Sequence, residues 1–221
     1  MQRHSEHDIA ALGKYRTGMS PLFRSHLLYR AAATLVGAVL IVALAVGSWA
    51  LGLQVTGNIH TVEDGVLYRS AQLNGQRLTD VLTTYGIRSV INLRGGNRGD
   101  WWYQNELEVT AANSVAHFDV YMAATSEPSA EVVSRLIEIM RTAPRPIRIH
   151  CNSGSDRAGL ASALYERLLK GLPAEVADAQ LSFRYGHFPW LGSGTVAMDR
   201  TFWRLSSNGT RNFTLKPSHP D

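Results

Sequence analysis

Hydrophobic residues are concentrated in one uninterrupted stretch near the start of the chain, from Ala31 to Leu53, which contains no charged side chain. A helix of this length can cross the hydrocarbon core of a bilayer, whereas a soluble core helix of the same length would normally present a polar face. We therefore predict a transmembrane helix over residues 31–53. A cleavable signal peptide is the alternative, because Ser48-Trp49-Ala50 resembles a cleavage site, but the segment before it is longer than in a typical signal.

Beyond this stretch, short apolar runs alternate with amphipathic segments, which is the pattern of an α/β domain. In the clearest helix, apolar residues recur at i, i+3, i+4 and i+7 from Val133 to Met140. Over residues 54–206 the pattern predicts strands at 66–68, 89–93, 116–122 and 146–150, and helices at 76–85, 102–113, 129–141, 157–170, 174–185 and 195–206. The polar remainder, 207–221, is predicted to be disordered.

The charge of the chain is unevenly distributed. It carries 22 Lys and Arg against 18 Asp and Glu, with a sequence pI of about 9.4. Five of these basic residues and two of the acidic ones lie in residues 1–30, so the rest is almost balanced. A basic segment before an apolar span predicts a cytoplasmic N-terminus, with the domain on the opposite side, periplasmic if the host is bacterial. The excess charge thus indicates a topology and not a nucleic-acid partner.

Cys151 is the only cysteine of the chain. A single thiol excludes an intrachain disulfide and disfavours a structural zinc site, which usually recruits several thiolates. We therefore predict no metal and no cofactor. The predicted strand 146–150 runs directly into Cys151, and Arg157 opens the next predicted helix, so the thiol lies at a strand-loop-helix junction.

The loop between these two residues has the composition of an anion site. Successive backbone N–H groups in such a loop can point inward and form a nest at the helix N-terminus, with Gly154 permitting the turn. The same donors stabilise the thiolate, which is the reactive form of cysteine, and Arg157 offers a planar fork for two phosphoryl oxygens. We predict that residues Asn152, Ser153, Gly154, Ser155, Asp156 and Arg157 bind a phosphoryl group and that Cys151 attacks it, forming a cysteinyl-phosphate.

The segment His150–Gly159 resembles the signature of the cysteine-based protein tyrosine and dual-specificity phosphatases, in which His-Cys is followed by five residues and then Arg. Segments Gly65–Ala71, Val90–Arg94 and Tyr185–Pro189 resemble the bacterial and plant-fungal atypical dual-specificity branch. The resemblance implies an α/β fold with a central, mostly parallel sheet flanked by helices. It also implies a phosphomonoester hydrolase that acts on a phosphorylated protein or a small phosphate ester.

Two positions depart from the family pattern. The family usually has Ser or Thr after the signature Arg, and Ala158 stands there in this chain, which implies slower release of phosphate from the sulfur. The family's general acid is usually an Asp on the loop after the preceding strand, but Met122–Ser126 contains no carboxylate. Glu127 is the nearest substitute. Asp156, which a related branch with lipid-phosphatase character also carries, and Asp119 follow in that order.

Three other functions remain open from the sequence. The substrate could be an inositol or lipid phosphate, which membrane anchoring favours. A pseudophosphatase that binds phosphorylated ligands without turnover is motivated by Ala158 and by the missing acid-loop Asp. Sulfur transfer or arsenate reduction is disfavoured, because rhodanese-like loops do not usually end in this Arg and arsenate reductases use further cysteines.

Overall fold

The computed structural model describes residues 21–208, so the predictions for 1–20 and 209–221 lie outside the described residues. The chain divides into two compact units, one that ends at Trp49 and one that begins at Ala50. Helix α1 runs from Pro21 to Thr56. Its segment Leu28–Thr56 has a mean hydropathy of 2.3 and is long and apolar enough to cross a membrane, with no residue of its apolar window buried. The predicted span 31–53 lies within it.

The second unit contains a five-stranded sheet in the order β1-β2-β5-β3-β4. Its strands are β1 (His60–Glu63), β2 (Leu67–Ser70), β3 (Ser89–Asn92), β4 (Ala116–Asp119) and β5 (Ile147–His150). Only the pair β1 and β2 is antiparallel, so the expected mostly parallel sheet is confirmed. Strand β1 was not predicted. Strand β5 lies between β2 and β3, so that its carboxyl end is at the middle of the sheet.

Helices cover both faces of this sheet. They are α2 (Gly75–Thr84), α3 (Trp101–Ala112), α4 (Ala130–Thr142), α5 (Asp156–Leu164), α6 (Ala174–Ala177) and α7 (Val196–Asn208). Because successive strand residues point to opposite faces, Val90 packs with Leu78 of α2, whereas Ile91 packs with Leu136 of α4. The structure thus confirms an α/β domain with two hydrophobic layers.

The predicted helix 174–185 is wrong. Only Ala174–Ala177 is α-helical, and 3-10 turns follow at Asp178–Gln180 and Phe183–Tyr185. Within the segment predicted as the end of this helix, the Gln180 carbonyl accepts a hydrogen bond from Arg69 at 2.7 Å, a contact that the local pattern of apolar residues does not carry. Most other boundaries differ by one or two residues, and the strand predicted at 116–122 ends earlier, at Asp119. Helix α5 begins one residue earlier than predicted and passes into a π-helical turn at Tyr165–Leu169, and α7 continues to Asn208, two residues into the predicted disordered tail.

Candidate active site

The predicted nucleophile directly follows the central strand. Cys151 comes immediately after β5, is 1% exposed, and is the free cysteine of the chain. The loop 152–155 then leads into α5, whose second residue is Arg157. The structure therefore places the predicted thiol, loop and guanidinium around one helix N-terminus, where backbone N–H groups have no helical partner.

The backbone of this loop is held from outside. Four successive carbonyl groups accept hydrogen bonds: Asn152 from the Gln72 N–H at 3.1 Å, Ser153 from Asn58 Nδ2 at 2.9 Å, and Gly154 and Ser155 from Arg69 Nη2 at 2.7 and 3.0 Å. In a trans peptide, the N–H of the next residue points away from the carbonyl. The N–H groups of residues 153–156 are therefore turned to the inner side of the loop, as an anion nest requires.

Gly154 is required by this arrangement. Its φ is +76°, and a β-carbon there would lie 2.7 Å from the backbone nitrogen of Ala71. That separation is shorter than any van der Waals contact allows, and the conformation is one that side chains rarely adopt. The predicted reason for a glycine at this position is thus supported by the close approach of β2.

Arg69 was not predicted as a site residue, although it lies in Gly65–Ala71, one of the segments that resemble the family. It is fully buried, and burial lowers its pKa to about 10, so that it remains charged at neutral pH. Its guanidinium also donates to Gln180 Oε1 at 2.8 Å and lies 4.1 Å from the centre of the Tyr185 ring. A fixed positive charge therefore stands directly behind the loop.

Arg157 is anchored on one side and open on the other. Its Nη1 donates to the carbonyl of Met122 at 3.2 Å and approaches that of Leu93 at 3.5 Å, whereas its buried Nε has no partner within the described residues. The side chain lines a cavity of about 610 Å³. The cavity is lined by Arg94, Gly95, Gly96, Asn97, Asp100, Trp102, Tyr121, Asn152 and Arg157. Two arginines and the start of the loop therefore face the same space.

A buried carboxylate supports the strand that carries the nucleophile. Glu106 of α3 accepts hydrogen bonds from His150 Nε2 at 3.0 Å and His117 Nε2 at 2.9 Å, and Arg148 lies 3.5 Å away. Burial alone would raise the pKa of this carboxyl, but the surrounding donors outweigh it and hold the pKa of Glu106 well below its usual range. His150 is thus held at the end of β5 by a partner that the sequence did not reveal.

A second network lies on the helix side of the loop. His187 is buried between two carboxylates, with Nδ1 at 2.8 Å from Asp156 and Nε2 at 2.9 Å from Asp199. Burial disfavours the charged ring, but the two carboxylates outweigh it and raise the pKa of His187 to about 9. The imidazolium therefore fixes Asp156 at the start of α5.

The predicted acid candidates all have partners. Glu127 contacts Arg200 at 3.4 Å and Arg204 at 3.1 Å, and Asp119 accepts from Asn92 at 2.8 Å and from the Tyr103 hydroxyl. None of the three candidates, Glu127, Asp156 and Asp119, is among the residues that line the cavity beside Arg157.

Asp100, which was not predicted, does line that cavity. It is the residue before α3 and makes no capping hydrogen bond with its side chain. An Asp directly before an amphipathic helix suggests a cap, so this position carries no separate signal of a functional role in the sequence.

The fold and this loop define the class of the protein tyrosine and dual-specificity phosphatases. A family model described as the tyrosine phosphatase family matches residues 51–178, more than half of the chain, and the chain belongs to this family. No curated protein matches the chain.

Solved structures show the same fold at low identity. TpbA of P. aeruginosa is 20% identical with a TM-score of 0.51, and the match covers 69% of this chain and 91% of that one. The core catalytic domain of the PP-IP phosphatase SIW14 from S. cerevisiae is 20% identical with a TM-score of 0.53, covering 68% and 91%. PTPMT1 is 13% identical with a TM-score of 0.52, covering 68% and 97%.

Proposed function

We propose that this phosphatase hydrolyses phosphomonoesters through a cysteinyl-phosphate on Cys151 and is anchored to a membrane by α1. The observation that carries the proposal is the loop 152–155, whose four carbonyl groups are all bound from outside. This arrangement leaves successive N–H groups for phosphoryl oxygens, while the fork of Arg157 faces the adjoining cavity.

The reaction proceeds in two steps. The Cys151 thiolate attacks phosphorus, the S–P bond forms, and the P–O bond to the leaving group breaks as that oxygen takes a proton from a carboxylic acid. Water then attacks the same phosphorus, the S–P bond breaks with its electron pair returning to sulfur, and the carboxylate takes the proton of the water. The loop N–H groups and Arg157 stabilise the charge on the phosphoryl oxygens throughout.

The proton donor is one of the carboxylates around the loop. Glu127, Asp156 and Asp119 are the candidates from the sequence. Glu127 contacts two arginines, Asp156 contacts His187, and Asp119 accepts from Asn92. Asp100 forms no ion pair within residues 21–208 and lines the cavity beside Arg157. We therefore propose Asp100 as a further candidate and expect the amide variants of Asp100, Asp156 and Glu127 to separate their roles.

Membrane anchoring rests on the length and composition of α1, together with the basic residues that precede the apolar stretch. The positive-inside tendency supports a cytoplasmic N-terminus and a catalytic unit on the other side. Selective labelling of engineered cysteines, placed on either side of residues 31–53 in a Cys151→Ser background, would test this orientation.

The first experiment is phosphate release by the full-length protein in detergent, with chelator present, from p-nitrophenyl phosphate and a phosphotyrosine peptide. We expect release by the wild type and none by Cys151→Ser. Vanadate binding by the Cys151→Ser protein would show that the loop is intact. If the folded wild type binds vanadate or the phosphopeptide and releases no phosphate, the chain is a phosphate-binding module, the function that Ala158 motivates.

A further inference from the structure

A second cavity adjoins the one beside Arg157. It has a volume of about 410 Å³ and shares Arg94, Trp102 and Asn152 with the first cavity. Its remaining lining residues are Gln54, Gln72, Leu73, Asn74, Arg77 and Trp101. Because three residues line both cavities, the cavities adjoin and one ligand can occupy both, with one end near the loop 152–155 and the other at Arg77.

The second cavity carries positive charge that no acidic residue among its described lining residues balances. Arg77 and Arg94 both line it, and of the described residues that line it none is acidic. No carboxylate within residues 21–208 forms an ion pair with either arginine. The Arg94 guanidinium stacks 3.6 Å from the centre of the Trp102 ring, which fixes it at the boundary between the cavities. Arg94 also donates to Gln72 Oε1 at 3.3 Å. Guanidinium groups without a carboxylate partner in a concave site favour an anion, and phosphate matches their geometry.

The position of this cavity along the chain points to the source of the ligand. Gln54, one of its walls, belongs to the last turn of α1, and Nη2 of Arg77 lies 3.2 Å from where a β-carbon on Gly57 would be. The cavity is therefore lined by Gln54, the residue that directly follows the apolar stretch 31–53 in the sequence. Trp101, at 70% exposed, adds an aromatic side chain of the kind enriched at bilayer interfaces.

An exposed apolar loop meets the same turn of α1. Cδ1 of Leu53 lies 3.3 Å from where a β-carbon on Gly186 would be, and the residues after Gly186 include Phe188, Trp190 and Leu191, all exposed. Leu191 is 95% exposed. Exposed aromatic and aliphatic side chains beside a membrane helix are suited to contact with lipid headgroups and acyl chains.

We propose that the second cavity binds a second phosphate of the substrate, and that the substrate is a phospholipid whose headgroup ends in a phosphomonoester. The monoester lies at Cys151 and Arg157, and the phosphodiester that joins headgroup to lipid lies between Arg77 and Arg94. This inference rests on the proposed hydrolase function. The shared chemistry, two phosphates joined by a short linker, also occurs in soluble esters, so the experiment must separate the two sources.

The test compares two soluble substrates with the full-length protein in detergent. Glycerophosphoinositol 4-phosphate carries both phosphates and no acyl chain, whereas p-nitrophenyl phosphate carries one. We expect Arg77→Ala to lower the ratio of their kcat/KM values about 10-fold to 100-fold, the effect of losing a charge-assisted hydrogen bond. Arg77→Lys should keep most of the ratio because it keeps the charge.

Arg88→Ala is the matched control. Arg88 is exposed and directly precedes β3, which runs parallel to β5, so it lies at the amino-terminal end of these strands, away from the carboxyl end of β5. Its loss should leave the ratio of kcat/KM values unchanged. An unchanged ratio in Arg77→Ala would overturn the subsite. A higher kcat/KM of the wild type for an acidic phosphopeptide than for glycerophosphoinositol 4-phosphate would also overturn it.

Binding separates failure of the subsite from failure of the hydrolase. Calorimetric titration of Cys151→Ser with glycerophosphoinositol 4-phosphate needs no turnover, and adding Arg77→Ala should weaken the Kd by about tenfold or more. If the wild type hydrolyses neither ester but this difference persists, the hydrolase proposal fails and the subsite stands. If p-nitrophenyl phosphate is hydrolysed but the Kd does not change, the subsite fails alone.

Vesicles identify the source of the second phosphate. With the protein reconstituted in phosphatidylcholine vesicles that contain phosphatidylinositol 4-phosphate, we expect faster hydrolysis of the lipid than of its deacylated headgroup at equal total concentration. Leu191→Asp should slow hydrolysis of the lipid and spare that of the headgroup. Equal rates for lipid and headgroup, with no effect of Leu191→Asp, would overturn the lipid assignment in favour of a soluble ester.

Discussion

Two charged networks hold the loop 152–155 from opposite sides, and they are built on opposite principles. Behind β5, an anion is buried: Glu106 accepts from two histidines and lies near Arg148. Beside α5, a cation is buried: His187 lies between Asp156 and Asp199, whose side chains are 19% and 24% exposed. The difference teaches that the strand side is held by a carboxylate that stays ionised down to acidic pH, whereas the helix side depends on a histidine whose pKa of about 9 makes it lose its charge in alkaline solution.

The strand side should give the largest effect. Glu106→Gln leaves Arg148 buried without a counter-charge, and breaking a buried ion pair in this way costs about 3–5 kcal/mol. We expect the free energy of unfolding, measured by urea denaturation in detergent, to fall by this amount. Glu138→Gln, which breaks an exposed pair with Arg141, should cost no more than about 0.5 kcal/mol. Similar losses in the two variants would mean that Glu106 is not a structural anion.

Measurements of activity can show which of Asp100, Asp156 and Glu127 donates the proton to the leaving group, and so whether the helix-side network takes part in catalysis. Removing a general acid lowers kcat about 100-fold or more for esters with poor leaving groups, and much less for p-nitrophenyl phosphate. We expect Asp100→Asn to show this pattern with phenyl phosphate. Asp156→Asn should lower kcat equally for both esters if Asp156 acts only by positioning the loop. Glu127→Gln should lower kcat more for phenyl phosphate than for p-nitrophenyl phosphate only if Glu127 is the acid. If only Asp156→Asn lowers kcat in a way that depends on the leaving group, Asp156 is the acid and His187 is the residue that holds it in place.

The pH dependence of stability should differ between the two sides. The pKa of His187 rises from 6.5 to about 9 on folding, so its contribution is complete below pH 6.5 and is lost as pH rises toward 9. We expect the free energy of unfolding to fall by about 2 kcal/mol over this interval, less than the full shift would give because both carboxylates are partly exposed.

Asp199→Asn should reduce this slope, and His187→Gln should abolish it. Glu106 has a lowered pKa, so its contribution is lost only as pH falls below about 4.5 and does not overlap with this window. A slope that persists in His187→Gln would assign the titration to another group.

The smallest effect concerns the residue after Arg157. Ala158 is fully buried in α5 and offers no hydroxyl to assist departure of phosphate from sulfur. We expect a burst of p-nitrophenol followed by slower turnover, and a rise of about threefold in the slow rate in Ala158→Ser, well under the effect of a general acid. Pre-steady-state absorbance measures both phases. The absence of a burst would show that the second step is not limiting.

The chemistry of the loop was accessible from the sequence because it is local. Thiol, turn glycine and guanidinium lie within one strand-loop-helix unit, and each element has its own pattern of apolar residues. The amphipathic stripe of α4 and the buried strands β3 and β5 were predicted for the same reason. The helix predicted at 174–185 was wrong, and this segment contains a contact that no local pattern carries: Arg69, more than 100 residues earlier in the chain, donates to the Gln180 carbonyl.

Tertiary structure alone decided what surrounds the loop. Arg69 and Asn58 bind loop carbonyl groups that are 85 and 95 residues away in sequence, and Glu106 meets His150 across 44 residues. Contacts of this kind leave no local periodicity, because they depend on which strands become neighbours in the sheet. The sequence by itself therefore determined the α/β class and which thiol, loop and guanidinium lie together in one strand-loop-helix unit. The packing of distant segments decided which buried charges hold that loop and which cavities it faces.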